Sequence, residues 1–316
     1  MIEIRNLTKD FGSLRAVDGV NFSVERGTVL GFLGPNGAGK STTMKMITGF
    51  LTPTSGTAVV CGHDVTQAPI AAKSKIGYLP EGAPLYPDMT PGGLLDFIAD
   101  VRGLSGSSKE PRIREVVGMV NIDKVLHQRI DTLSKGFKRR VGIAQAILHD
   151  PEVLILDEPT DGLDPNQKHE VRSLIRTMAP NKVIVLSTHI LEEVEAVCSR
   201  AIIIAGGRLC FDGTPSQLAA RSRRHNSVSI TVREAETAEA TSSLAALTGV
   251  AEVEEISGQD GWSTFRVVPS NGRLLLDDVA GLASDKGWHV EQIFVEPGRL
   301  DEVFRDITTG QAQARS

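Results

Sequence analysis

Residues 34 to 42 read Gly-Pro-Asn-Gly-Ala-Gly-Lys-Ser-Thr, a run whose residue types and spacing suit one task, the holding of a chain of phosphates. In the loop of Gly34, Pro35, Asn36, Gly37, Ala38 and Gly39, three glycines let the backbone curl tightly enough for N–H groups to point inward at phosphate oxygens. A helix that follows adds the positive end of its dipole. Lys40 is placed to reach the β- and γ-phosphates as a binding and catalytic cation, the Ser41 hydroxyl to bind Mg²⁺, and Thr42 to donate to the α-phosphate. A chance glycine turn is the plain alternative. The apolar run before the loop and the helical pattern after it argue for the phosphate loop.

Asp157 and Glu158 close a second apolar run. In isolation they read as two solvated acids at a strand end. Beside a phosphate loop, Asp157 belongs in the Mg²⁺ shell, and Glu158 sits where it can polarise an attacking water. Successive strand residues point to opposite sides, which permits two roles. Glu158 is the expected general base.

Positioning these groups calls for a layered α/β core. Residues 29–33, 153–156, 183–186 and 201–205 are short, apolar, largely β-branched runs, which suit parallel strands buried on both faces. Residues 41–48 read as a helix with Met44 and Ile47 on one face, stopped by Gly49 and Pro53. Residues 88–150 hold amphipathic patterns such as Val141, Ala144, Gln145 and Leu148, and read as a helical insertion between the two nucleotide motifs. A basic, polar joint, Arg-Ser-Arg-Arg-His-Asn, falls at 221–226. Beyond it come strand 227–232, helix 236–247, strands 253–256 and 264–268, helix 273–286, strand 289–295 and helix 300–307. That βαββαβα order predicts a small α+β domain of ferredoxin-like type. The expected division is 1–222, 227–308 and a frayed tail from 309.

The chain of 316 residues is 41% hydrophobic and 23% charged, the profile of a soluble globular protein. Its net charge of −5 argues against a dedicated nucleic-acid binder, whose footprint is basic. Cys61, Cys198 and Cys210 are scattered without metal-like spacing, so inert buried thiols in a reducing compartment are expected. The first residues carry no signal-peptide pattern, and no apolar run approaches the ~18 residues of a membrane span. If the protein works at a membrane, another subunit provides the span.

Leu-Ser-Lys-Gly-Phe at 133–137 lies just before the acidic strand end, and Ser-Thr-His at 187–189 lies beyond it. The order phosphate loop, signature, acidic strand, then Ser-Thr-His resembles the ATP-binding-cassette (ABC) ATPases over roughly residues 1–220. The resemblance implies a P-loop NTPase fold: a mostly parallel sheet, N-terminal antiparallel strands and the helical insertion. It implies that His189 contacts the γ-phosphate and senses hydrolysis. It also places Phe11 where a ring can stack on adenine, although an ordinary core phenylalanine is an equal alternative. Ser134 can cap a helix, Gly136 leaves room for a phosphate, and Lys135, Lys138, Arg139 and Arg140 add positive charge near the helix start. Capping alone would show only an anion-friendly helix end. In the family this element closes over ATP held by the opposite subunit, and a D-loop like Asp161-Gly162-Leu163-Asp164 crosses the same interface. A homodimer around two Mg-ATP is implied, with Asp164 near the nucleotide.

The family signature is commonly Leu-Ser-Gly-Gly-Gln; here Lys135 and Phe137 depart from it, while Ser134 and Gly136 are kept. Glu81 stands where a glutamine is usual; its carboxylate can ligate Mg²⁺ or orient water, and adds negative charge. Tyr-Leu-Pro-Glu at 78–81, Pro-Leu-Tyr at 84–86, the signature run to Val141 and Pro-Gly-Arg-Leu-Asp-Glu-Val-Phe at 297–304 resemble the ATPase subunits of ABC-2-type exporters, in particular the gliding-motility-associated branch. That likeness implies a cytoplasmic subunit, peripheral on the membrane, that drives a separate integral-membrane permease and takes no nucleic-acid partner. Residues 81–91, with Leu85 and Tyr86, would touch the permease or form a plain surface loop. A non-transport ABC ATPase acting on DNA, the ribosome or a toxic molecule is the rival reading.

Overall fold

A computed structural model describes residues 1–82, 84–270 and 272–313. The chain divides into two compact units, Met1–Pro215 with Ile307–Ser316, and Ser216–Asp306. The first unit starts with β1 (Ile2–Phe11), β2 (Leu14–Val24), β3 (Val29–Leu33), α1 (Lys40–Ile47), β4 (Ser55–Val60), β5 (His63–Asp64), α2 (Pro69–Ser74) and β6 (Ile76–Leu79). The helical segment supplies α3 (Pro91–Val101), α4 (Lys109–Val120) and α5 (Lys135–Ile147). Then come β7 (Val153–Asp157), α6 (Pro165–Met178), β8 (Val183–Thr188), α7 (Leu191–Val197), β9 (Arg200–Ala205) and β10 (Arg208–Gly213); α8 (Pro215–Ala219) starts on the unit's boundary residue and continues in the second unit.

Two sheets result. One is antiparallel, in the order β2-β1-β4-β5; the other runs β10-β9-β3-β8-β7-β6, parallel except for its edge strand β10. Every residue of β3, β7 and β8 is buried, which is why these strands read as unbroken apolar runs rather than as alternating ones. Gly77 in β6 is demanded by packing: a Cβ there would drive into the Ala146 carbonyl of α5. Three helix starts are capped by side chains, the one expected at Ser134 among them. Thr90, Ser134 and Asp164 each accept a backbone N–H three residues on, capping α3, α5 and α6.

His149, between α5 and β7, makes stability depend on pH. Its Nε2 donates to the Ile76 carbonyl at 3.1 Å, and its Nδ1 is buried with no partner among the described residues. Burial, with Arg102 next, holds the imidazole neutral and pulls its pKa from 6.5 down to about 4. The unfolded chain therefore takes up this proton first as the pH falls. The stability contribution is whole above pH 6.5 and drains as the pH drops toward about 4. For a partly exposed ring it amounts to about 1–2 kcal/mol. His149→Asn should shrink the fall in thermal midpoint between about pH 7 and about pH 5. An unchanged fall contradicts this.

The second unit holds β11 (Val228–Arg233), α9 (Thr237–Ala245), β12 (Val250–Gln259), β13 (Trp262–Pro269), α10 (Leu276–Asp285) and β14 (Val290–Val295), and α11 (Leu300–Gln313) starts within it. Its sheet is antiparallel in the order β12-β13-β11-β14, a split βαβ arrangement of ferredoxin-like type. Val228, Ile230, Val232, Phe265 and Val267 pack beneath Leu244 and Val279. Residues 221–226, expected as a joint, lie inside this unit. Arg224 pairs with Glu302 at 3.2 Å, and the Asn226 amide donates to the Gly272 carbonyl at 2.7 Å. The segment expected to fray begins as helix, since α11 continues to Gln313; residues 314–316 lie outside the described residues.

Candidate functional site

Strand register decides what meets at the sheet's carboxyl edge. Leu33 of β3 pairs with Thr188 of β8, and Asp157 of β7 pairs with Ser187. Gly34, Glu158 and His189 therefore leave three adjacent parallel strands at one level, where open α/β sheets bind ligands. Gly37 and Gly39 have φ of 77° and 104°, which a side chain would resist. A Cβ on Gly34 would strike the Ile204 carbonyl, so strand β9 fixes the loop's close approach. Gly39 stands at the N-cap of α1 and offers no side-chain cap, so the first N–H groups of the helix stay open to the loop's own concavity. The buried Lys40 ammonium donates to the carbonyls of Gly34 at 2.7 Å and Pro35 at 3.2 Å. Burial pulls its pKa down, against the charges of Glu158, Asp157 and Glu81.

A cavity of about 450 Å³ is lined by Phe11, Pro35, Asn36, Gly37, Gly39, Lys40, Ser41, Thr42 and Glu81. Phe11 is 49% exposed there, which removes the reading of it as a core phenylalanine. Ala38 is buried beneath the loop, where its carbonyl accepts from Gly207 N–H at 3.1 Å. Glu81 also lines a second cavity of about 730 Å³ together with Asp157, Tyr78 and Phe50, and so stands between the phosphate loop and the acidic strand end.

The two adjacent acids do diverge. Asp157 is buried; one carboxylate oxygen accepts from the Ser187 hydroxyl, and the other, Oδ2, is buried with no partner among the described residues. An unmatched buried carboxylate oxygen is costly and calls for a cation. Glu158 sits at φ 50°, in the left-handed region, with its N–H donating to the Ser187 carbonyl at 3.1 Å. Its Oε1 accepts from His189 Nδ1 at 3.0 Å. Burial raises the Glu158 pKa above the usual glutamate range, against the pull of His189 and Lys40.

Ser134, Gly136 and Asp164 form a separate group that does not line the phosphate-loop cavity. Ser134 Oγ accepts from Phe137 N–H at 3.3 Å, and Asp164 accepts from Gln167 N–H at 2.9 Å. A Cβ on Gly136 would meet the Gln167 side chain of α6. The expected positive cluster at the start of α5 is smaller than its sequence. Arg139 and Arg140 are buried, and Arg140 pairs with Glu170 at 2.8 Å. Arg139 reaches the Pro80 carbonyl at 3.5 Å, facing the acids of the site. Sequence reasoning gives no role to Thr160 or Glu193, which on their own read as a loop residue and one acid of a surface helix.

A phosphate loop, a divergent acid pair, a histidine hydrogen-bonded to the second acid and a capped signature helix together define an ATP-binding cassette. A family model described as ABC transporter matches residues 17–161. The chain is 35% identical over 309 residues to the linearmycin resistance ATP-binding protein LnrL of Bacillus subtilis, spanning 98% of each chain. It is 39% identical over 236 residues to the probable multidrug ABC transporter ATP-binding protein YbhF of Escherichia coli; the match covers 74% of this chain but 41% of that protein, so the chain spans less than half of YbhF. A solved ATP-binding subunit of an ABC transporter superposes with a TM-score of 0.65 at 32% identity, covering 69% of this chain and 91% of that one. The chain belongs to the ABC transporter family, as an ATP-binding protein.

Proposed function

We propose that the protein hydrolyses ATP as a homodimer closed around two Mg-ATP, and that it drives a separate integral-membrane permease that exports its cargo. The observation that carries this is the division of the site. One chain holds the phosphate loop with the Glu158–His189 pair in one group, and the Ser134–Gly136–Asp164 cluster in another. Two copies facing each other would bring each group to its complement. The names of the relatives, one for multidrug transport and one for linearmycin resistance, favour export. No described helix is long and apolar enough to cross a membrane, so the span falls to a partner on whose cytoplasmic side this subunit would sit.

In this reading Phe11 stacks on adenine, the loop and Thr42 hold the phosphates, and Lys40 offsets charge on the γ-phosphate. Glu158 takes the proton of the attacking water while His189 holds its carboxylate in place. The donor set fits Mg²⁺. The orphaned Asp157 Oδ2 and the Ser41 hydroxyl are hard oxygen ligands, Glu81 stands close by, and no cluster of three metal-ligating side chains occurs among the described residues. Mg²⁺ bound there would offset the negative charge of the phosphates. Removing Mg²⁺ with a chelator should abolish turnover.

Glu81 lines a cavity together with Asp157 and adds a negative charge there, so Glu81→Gln should raise kcat about 2- to 5-fold by relieving that repulsion. Complete loss of ATPase contradicts this role. Export is tested by a mild-detergent pull-down of tagged Glu158→Gln protein with Mg-ATP. A multi-spanning membrane protein should be recovered, and Leu85→Ser with Tyr86→Ser should lose it without changing basal ATPase. Tyr86 is exposed and meets the Phe97 ring edge-on at 6.4 Å, which offers an apolar contact face. Recovery of ribosomes, nucleic acid or no membrane protein contradicts the transporter reading.

A further inference from the structure

Glu193 is a carboxylate with nowhere to go but inward. It lies on α7, four positions beyond His189, and is 2% exposed. Its Oε1 accepts from the Thr160 hydroxyl, and its Oε2 accepts from the Thr188 hydroxyl at 3.2 Å. Thr160 follows Glu158 by two residues; Thr188 immediately precedes His189. The Thr188 hydroxyl in turn accepts the N–H of Ile190 at 3.0 Å, so it grips the backbone on the far side of His189. One buried side chain thus ties together the two loops that carry the general base and its histidine.

The tie matters because Glu158 stands in a conformation that a non-glycine residue avoids, at φ 50°. Such a backbone persists only where its surroundings over-determine it. On the amino side of the turn, Ser187 supplies two holds: its carbonyl accepts Glu158 N–H, and its hydroxyl donates to Asp157. On the carboxyl side, Asp161 N–H donates to the Glu158 carbonyl at 3.2 Å, and the Thr160–Glu193 bond adds the side-chain hold. Among the described residues, the cation paired with Glu193 is Arg172 on α6, at 4.0 Å, and the Arg172 Nε is buried without a partner there. A buried acid bound chiefly by hydroxyls, with so distant a counter-ion, is costly for stability. Its placement suits geometry at the site instead.

We propose that Glu193 is a positioning residue for hydrolysis: through Thr160 and Thr188 it holds Glu158 and His189 in the register that aligns the attacking water, without touching ATP. This rests on the reading of the protein as an ATPase. The hold needs hydrogen bonds rather than a negative charge. Glu193→Gln keeps one acceptor and can reverse the second bond, because a threonine hydroxyl both donates and accepts. Glu193→Leu nearly keeps the volume and breaks both bonds.

The test is steady-state ATPase kinetics with ATP-binding stoichiometry measured on the same full-length samples. Wild type is assayed alongside. Glu193→Leu should lower kcat on the order of 10²-fold per bound ATP while KM moves less than about 3-fold, because misplacing the base costs rate and not binding. Glu193→Gln should stay within about 3-fold of wild type. Thr160→Val, the milder variant, should lose about 10-fold in kcat, and adding Glu193→Leu to it should give no more loss than Glu193→Leu alone. Wild-type kcat in Glu193→Leu, or an equal loss in the leucine and glutamine variants, overturns the proposal while the ATPase reading stands. A wild-type protein that binds Mg-ATP and never hydrolyses it removes the reading on which the proposal rests.

Discussion

Glu158→Gln is expected to bind Mg-ATP as tightly as wild type and to turn it over about 10³-fold more slowly. Glutamine fits the same space and can still meet His189, so the phosphate loop and the unusual backbone at φ 50° are left in place. What disappears is the carboxylate proposed to accept the proton of water. The same assignment sets a pH profile. Burial lifts the Glu158 pKa above the usual glutamate range, and the base works only when ionised. In wild type, kcat should therefore fall as the pH drops, with a midpoint above the ordinary glutamate value of 4.5. In Glu158→Gln that acid limb should vanish from the residual rate. An unaltered limb, or wild-type turnover, would assign the base elsewhere.

Lys40→Ala is expected to damage both binding and rate. The ammonium is buried, held by two loop carbonyls, and set among three carboxylates. A charged donor to a phosphate contributes about 1.5–3 kcal/mol, so ATP affinity should fall by about 10- to 100-fold. Loss of a preorganised charge at the transferring phosphoryl group should lower kcat by about a further 10²–10³-fold. The fold should survive, since the lysine's burial costs free energy that alanine does not incur. Titration calorimetry and phosphate release at saturating ATP separate the two effects. Intact affinity would mean that the loop's N–H groups hold the nucleotide alone, and would count against the proposed role of Lys40.

Much of this site can be read from the sequence because each half has a local cause. A glycine-spaced loop between an apolar run and a helix has few other uses, and Ser134 announces a helix start by its residue type. The parallel core is legible for the same reason: strands covered on both faces leave no polar alternation in β3, β7 and β8. The ferredoxin-like order of the second unit follows from seven short elements in sequence.

What stays hidden depends on contacts between distant segments. Arg139 reads as an exposed basic residue among four, yet it turns inward to Pro80, 59 positions away. Glu193 sits in Leu-Glu-Glu-Val-Glu, where three acids look alike; helical phase alone buries one of them against Thr160. The run at 221–226 reads as a linker because it is charged, and its place inside the second unit shows only once partners such as Glu302 are known.

The most direct measurement of the central claim is the solution mass of Glu158→Gln with and without Mg-ATP, by sedimentation or light scattering. The account predicts single chains without nucleotide and pairs holding two ATP when Mg-ATP is added, with the pairs lost on Gly136→Asp, which sets a charge against the phosphate facing the signature. Mg-ATP bound by a chain that stays single, or pairs indifferent to nucleotide, would contradict it.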